Sequence, residues 1–230
     1  MFTGVRQGSV LSPVLFSVYI DGISKLHDPN NGAYVILYAD DILLMSHSTS
    51  TLQTLLTTCE NELDTIGMAI NTRKSCCIRV GPRHNIPCAA INTNDGSKLL
   101  WSEELRYLGV FIVRCTSFRC SIDYAKRSFY RAANGIFAKL GRLASEEVIL
   151  ELIMKKCIPV LLYGLEVCDL PKRTIQSLDF SVNRVLMKLI RSSNIEIIAE
   201  CRNHFGVELP SVQQAKRFKK FSDKICNMIA

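Results

Sequence analysis

Two aspartates stand side by side in the stretch "LYADDILLM", residues 37 to 45. At an effective dielectric of ~20, two full charges about 4 Å apart repel by ~4 kcal/mol. Apolar neighbours that stripped water from the carboxylates would add to that cost. Asp40 and Asp41 therefore call for a compensating positive charge, and a divalent cation reverses the sign of the interaction. Mg²⁺ held by one or two carboxylates keeps coordination positions for substrate phosphates. That is the chemistry of phosphoryl or nucleotidyl transfer, in which paired metals activate an attacking hydroxyl and stabilise the leaving oxygen. Paired aspartates also serve as plain turn residues, but a solvated turn needs no apolar flanks such as "LYA" and "ILLM".

The elements that must carry the pair can be read from periodicity. "YVILYADDILLM" is two short apolar runs around a polar centre, the pattern of a β-hairpin. Before it, "LSPVLFSVYIDGISKL" predicts a helix capped by Ser12, with Pro13 at the first helical position and an inward stripe of Leu15, Val18, Tyr19, Ile23 and Leu26. After it, a helix over 50 to 66 places Leu52, Leu55, Leu56, Cys59, Leu63 and Ile66 on one face and stops at Gly67. Strands are expected at 68 to 71, 76 to 80 and 106 to 113, with a Pro- and Asn-containing loop near 81 to 97. From about residue 120 the pattern turns helical. "IDYAKRSFYRAANGIFAKLGRL" ends or bends at Gly141, "SEEVILELIMKKCIPVLLYGLEV" begins at Ser145 and kinks around Pro159, and helices follow near 172 to 191, 194 to 204 and 211 to 228.

Charge divides the chain in the same way. The formal net charge of +7 in 230 residues is unevenly spread. Residues 1 to 117 carry 9 basic and 10 acidic side chains, whereas 118 to 230 carry 19 and 11. A near-neutral half thus precedes a basic one, which points to a polyanionic partner. A hydrophobic content of 48% supplies material for one or two ordinary cores, so an ordered chain is expected. The ten cysteines contain no C-x-x-C pair and sit among apolar residues, which reads as reduced core thiols in an intracellular protein rather than a zinc or disulfide scaffold. No apolar run approaches the ~18 to 20 residues of a membrane span, and no basic-then-apolar leader opens the chain. The reading is a soluble, intracellular α+β protein.

Four stretches in order carry a family resemblance: "GVRQGSVLSPVLF" at 4 to 16, "YADD" at 38 to 41, "GMAINTRKS" at 67 to 75 and "LRYLGV" at 105 to 110. Together they resemble the later motifs of a reverse transcriptase domain, nearest in wording to non-LTR retrotransposons of animals. The resemblance implies a partial polymerase palm over 1 to 117, an antiparallel sheet with packed helices. A helical, basic thumb or connection region would follow over 118 to 230. It further implies RNA-directed DNA polymerisation with Mg²⁺ or Mn²⁺, deoxynucleoside triphosphates, an RNA template and a DNA primer, and no membrane.

Residue by residue, the resemblance makes Asp40 and Asp41 metal-binding catalytic aspartates and sets Tyr38 beside the incoming nucleotide and primer end. Gly4 through Gly8 match a loop where glycine lets the backbone approach a nucleotide or template, with Arg6 and Gln7 near the templating pair. Lys74 falls where a lysine neutralises the triphosphate and can protonate the pyrophosphate leaving group. Tyr107, Leu108 and Gly109 match a hairpin that grips the primer's 3′ end. Lys126, Arg127 and Arg131, interleaved with Tyr124, Phe129 and Tyr130, suit a nucleic-acid backbone, as does the cluster Lys216, Arg217, Lys219 and Lys220.

The family places a further essential aspartate in a strand upstream of the glycine-rich loop, and that stretch is absent from "MFTGVRQG" onward. The expectation is a truncated copy or incomplete reading frame that does not polymerise alone. Its alternatives are a noncatalytic nucleic-acid-binding remnant and an unfolded relic with an exposed sheet edge.

Overall fold

A computed structural model describes residues 8–141, 143–168 and 170–229. The chain divides into two compact units: residues 1–79 with 85–102, and residues 80–84 with 103–230.

The first unit begins with helix α1 (Ser12–Ile20), which passes into a 3₁₀ turn over Asp21–Leu26. Strands β1 (Ala33–Tyr38) and β2 (Asp41–Ser46) pair antiparallel in the register Ala33↔Ser46 to Tyr38↔Asp41. Helix α2 (Thr49–Thr65) follows, with the Ser48 side chain accepting from the Thr51 amide at 3.0 Å. It ends at Gly67, whose φ of +67° supplies the left-handed residue that lets the Met68 amide reach back to the Leu63 carbonyl. Ala33, Val35 and Leu37 of β1 and Ile42 and Leu44 of β2 pack with Leu55, Cys59 and Leu63 of α2. A small mixed sheet of β3 (Cys76–Cys77), β4 (Ile91–Asn92) and β5 (Lys98–Trp101), in the order β3-β5-β4, completes the unit.

Several expectations are corrected here. Leu11, already helical in its backbone angles, takes the N-cap position of α1 with no side-chain cap, and Ser12 is the first helical residue. Leu15, Val18 and Tyr19 are 50%, 71% and 52% exposed, whereas Ile23 is 1%. The inward residues are Phe16, Ile20 and Ile23, themselves at i, i+4 and i+7, followed by Leu26, so the expected stripe keeps Ile23 and Leu26 but takes the wrong face within α1. Residues 68 to 71 do not form a strand. Met68 and Ile70 alternate inward as a strand would, but the segment has no ladder partner among the described residues. The strand expected over 76 to 80 is confined to Cys76–Cys77, and the loop near 81 to 97 contains β4.

The second unit opens with an antiparallel hairpin, β6 (Glu104–Tyr107) and β7 (Val110–Val113), where a single strand over 106 to 113 was expected. Its helices are α3 (Ile122–Leu140), α4 (Glu146–Leu152), α5 (Ile158–Leu161), α6 (Lys172–Ile190), α7 (Ile195–His204) and α8 (Pro210–Ile229). Between α4 and α5 the chain widens into one π-helical turn, Ile153–Cys157. Pro159 has no amide to donate back to Lys155, and the wide turn absorbs the break. Phe129, Cys157, Leu161, Leu178 and Val182 are fully enclosed at the centre of this helical core. All ten cysteines are free thiols, Cys59, Cys77, Cys120, Cys157 and Cys168 of them buried and Cys226 exposed. Among the described residues no helix is long and apolar enough to cross a membrane.

Candidate active site

The β1–β2 hairpin turns in two residues, Ala39 and Asp40, between the closing pair Tyr38 and Asp41. Ala39 has φ +51°, the positive value that tight two-residue hairpin turns require at their first central position. For an alanine this conformation costs about 1 kcal/mol, so the tip is mildly strained. Residues directly opposite in an antiparallel pair project to the same face. Tyr38 and Asp41 therefore share the face opposite the one packed on α2, together with Tyr34, Ile36, Leu43 and Met45. Asp40 lies in the turn itself.

The apolar flanks do not enclose the acids. One face of the hairpin is packed and the other is open, leaving Tyr38 60% exposed and both aspartates exposed. Desolvation thus contributes little to the cost of the pair, and its need for a counter-charge comes from mutual repulsion. Neither carboxylate has a hydrogen-bond or ion-pair partner among the described residues. Two adjacent, unpaired carboxylates are hard oxygen donors suited to Mg²⁺. No group of three His, Cys, Asp or Glu side chains that could enclose a metal occurs among the described residues. The donor set fits a cation that completes its shell with substrate oxygens, and does not fit a closed structural site.

Lys74 belongs to the same unit. It sits in the turn after α2, its amide bonded to the carbonyl and the side-chain oxygen of Asn71 at 3.0 and 3.2 Å. The Lys74 side chain is exposed and its ammonium is unpaired among the described residues. Gly8 has φ +84° and open space around the position a Cβ would take. Arg6 and Gln7 lie outside the described residues.

The remaining candidates belong to the second unit. Tyr107 closes the β6–β7 hairpin opposite Val110, and Leu108 and Gly109 form its turn with φ +47° and +83°. Two of the three non-glycine residues at positive φ among the described residues, Ala39 and Leu108, thus stand at the tips of the two hairpins that carry candidate site residues. On α3, Tyr124, Arg127 and Arg131 share a face at helical spacing, and the Arg127 guanidinium lies over the Tyr124 ring at 4.3 Å. Arg127 and Arg131 are exposed. Lys126 is different, because it is half-buried and its ammonium donates to the Ser177 hydroxyl of α6. On α8, Lys216 pairs with Glu208 while Arg217, Lys219 and Lys220 are exposed.

Sequence reasoning missed two contacts. The Phe111 and Tyr124 rings stack at 3.6 Å, joining β7 to α3. The Tyr163 hydroxyl donates to the Leu108 carbonyl at 3.1 Å. The one available signal was the dipeptide Tyr163–Gly164 just past the Pro159 bend.

The family model described as reverse transcriptase (RNA-dependent DNA polymerase) matches residues 1–112. Residues 1–112 belong to the reverse transcriptase family. This reverse transcriptase segment is of the non-LTR retrotransposon kind. The chain is 28% identical over 210 residues to the Retrovirus-related Pol polyprotein from type-1 retrotransposable element R2 of Popillia japonica, covering 83% of this chain and 27% of that protein. It is 29% identical over 192 residues to the RNA-directed DNA polymerase from mobile element jockey of Drosophila funebris, covering 74% of this chain and 20% of the relative. The chain therefore spans about a quarter or less of the length of these curated relatives. No solved structure matches it. The reverse transcriptase match includes both hairpin tips, and the helices from α3 onward lie beyond it.

Proposed function

We propose that this chain supplies the catalytic hairpin and the primer-side hairpin of an RNA-directed DNA polymerase, acting by nucleotidyl transfer. The observation that carries the reading is the pair Asp40 and Asp41, unpaired on an exposed, strained tip inside the reverse transcriptase match. Asp40 and Asp41 would hold Mg²⁺ or Mn²⁺. When bound there with the substrate's phosphates, divalent cations supply the positive charge that activates a primer hydroxyl and stabilises the leaving oxygen. Tyr38, on the same face as Asp41, offers a ring against which a nucleotide can seat. Lys74 offers an unpaired ammonium to the triphosphate and a proton to the leaving pyrophosphate. Gly8, with Arg6 and Gln7 before it, would admit the templating base pair. Tyr107, Leu108 and Gly109 would hold the primer terminus. Residues 1 to 117 read as partial palm, and residues 118 to 230 as a thumb or connection region in which Arg127 and Arg131 track the duplex backbone. Lys126, already engaged by Ser177, would contribute less.

With two carboxylates and no third metal ligand clustered beside them among the described residues, the chain alone is inferred not to polymerise. A primer-extension assay on the purified chain, with a DNA primer on an RNA template and Mg²⁺ or Mn²⁺, tests this. No extension is expected. Template-dependent synthesis that disappears in Asp40→Asn would overturn the inactivity while supporting the catalytic assignment.

A second reading is favoured by the exposed Arg127, Arg131, Arg217, Lys219 and Lys220. It is a noncatalytic nucleic-acid-binding remnant. That reading predicts duplex binding with a steep salt dependence, unchanged in Asp40→Asn and Asp41→Asn.

A further inference from the structure

The β6–β7 turn is built from residues that do not favour it. Positive φ at both central positions is the type I′ arrangement, for which Asn-Gly and Gly-Gly are the usual sequences. Gly109 meets the requirement at φ +83°, but Leu108 is held at φ +47°. A leucine pays roughly 1 to 2 kcal/mol for that backbone, and Leu108 remains 36% exposed, so burial of its own side chain offsets only part of the cost. Something outside the hairpin must hold the turn.

Tyr163 and Gly164 meet it from 55 residues further along the chain. The Tyr163 hydroxyl donates to the Leu108 carbonyl at 3.1 Å, which fixes the orientation of the peptide between Leu108 and Gly109. The edge of the Tyr163 ring stands 3.4 Å from where a Cβ on Gly109 would lie. Gly164, at φ +71°, comes so close to Val110 that a Cβ added to it would stand 2.5 Å from Val110 Cγ2. One dipeptide therefore touches three successive residues of the turn. It is itself anchored, because Leu161, Leu162 and Leu165 on either side are fully buried in the helical core. The Tyr163 side chain is 59% exposed, so packing into the core does not account for its position.

We propose that Tyr163 is a positioning residue that holds the Leu108–Gly109 turn in the shape that meets the primer strand, with Gly164 as the residue that permits the close approach. The proposal rests on the reading of Tyr107 to Gly109 as primer-binding, so its test separates the two. Amide hydrogen exchange of the full chain is compared between the wild type and Tyr163→Phe. Losing one hydrogen bond should speed exchange at Tyr107 and Val110, the pair that closes the turn, by roughly 2- to 10-fold, with α6 unchanged. Exchange at the turn unaltered, or accelerated uniformly across the second unit, would overturn the positioning role. In the Leu108→Gly background, where the turn carries no such strain, the same Tyr163→Phe change should have a smaller effect. An equal effect would also overturn it. Fluorescence anisotropy with a labelled DNA primer annealed to an RNA template then tests the reading beneath. Tyr163→Phe is expected to raise Kd by a similar factor, with rescue by Leu108→Gly. A loosened turn with unchanged Kd would refute the primer-binding role of the hairpin and leave the brace standing.

Discussion

Gly164→Ala should destabilise the helical unit by about 2 to 3 kcal/mol, the balance of three contributions. The glycine has φ +71°, and an alanine forced there costs about 1 to 2 kcal/mol. Its Cβ would stand 2.5 Å from Val110 Cγ2, and Val110 is a stiff, β-branched residue packed against the core, so it cannot swing away without opening a gap. Overpacking of that kind costs roughly 1 to 3 kcal/mol. Against these, alanine restricts the unfolded chain and returns about 0.4 to 1 kcal/mol. Urea denaturation followed by circular dichroism reads the outcome. At a slope of roughly 2 kcal/mol per molar urea, the midpoint of the helical transition should fall by about 1 to 1.5 M. Gly135→Ala is the control, since that glycine lies within α3 at negative φ with no atom within 4 Å of the position a Cβ would take. There the same chemical change should stabilise by about 0.5 to 1 kcal/mol. A midpoint for Gly164→Ala equal to or above that of the wild type would show that Val110 yields freely and that the contact with the turn is loose.

Two further expectations concern charge. Burial and the neighbouring Glu60 and Glu62 push the Cys59 thiol up to about 11, and burial with Cys76 and Cys88 does the same for Cys77. The folded state therefore keeps protons that the unfolded chain releases above pH ~9. Stability of the first unit should be level below pH 9 and decline between pH 9 and 11; an alkaline decline equally steep in Cys59→Ala would remove Cys59 from that account. On α3, Arg127→Ala and Arg131→Ala should each lower the slope of log affinity against log salt for an RNA–DNA duplex by about 0.9. Lys126→Ala should change it less, because its ammonium is bonded to Ser177. Equal slopes for all three variants would sink the distinction.

Much of the local architecture is legible in residue order. The stripe from Leu52 to Leu63, the Ser48 cap and the Gly67 stop of α2 depend on residues within a turn or two of one another. So does the alternation of Ala33, Val35 and Leu37 in β1. In α1 two faces are apolar, and the one that turns inward is Phe16 and Ile20, continued by Ile23, because that is the face that packs with β1 and α2. Met68 and Ile70 mislead for a related reason: alternation marks an extended segment, but a strand also needs a partner to bond.

The candidate site divides along the same line. By itself the sequence determined that two aspartates sit at the bend of a hairpin, that the motifs around them are those of a reverse transcriptase, and that positive charge collects in the second half. Those are properties of residue type and short spacing. Only the tertiary structure decided that the aspartates stand exposed, that Lys126 is spent on Ser177, and that Tyr163 braces Leu108 across 55 residues. Each depends on where distant segments of the chain come to rest. For Lys126 and Tyr163 that placement follows from burying the enclosed Phe129, Leu161 and Leu178 together, and for the aspartates from packing the other face of their hairpin on α2.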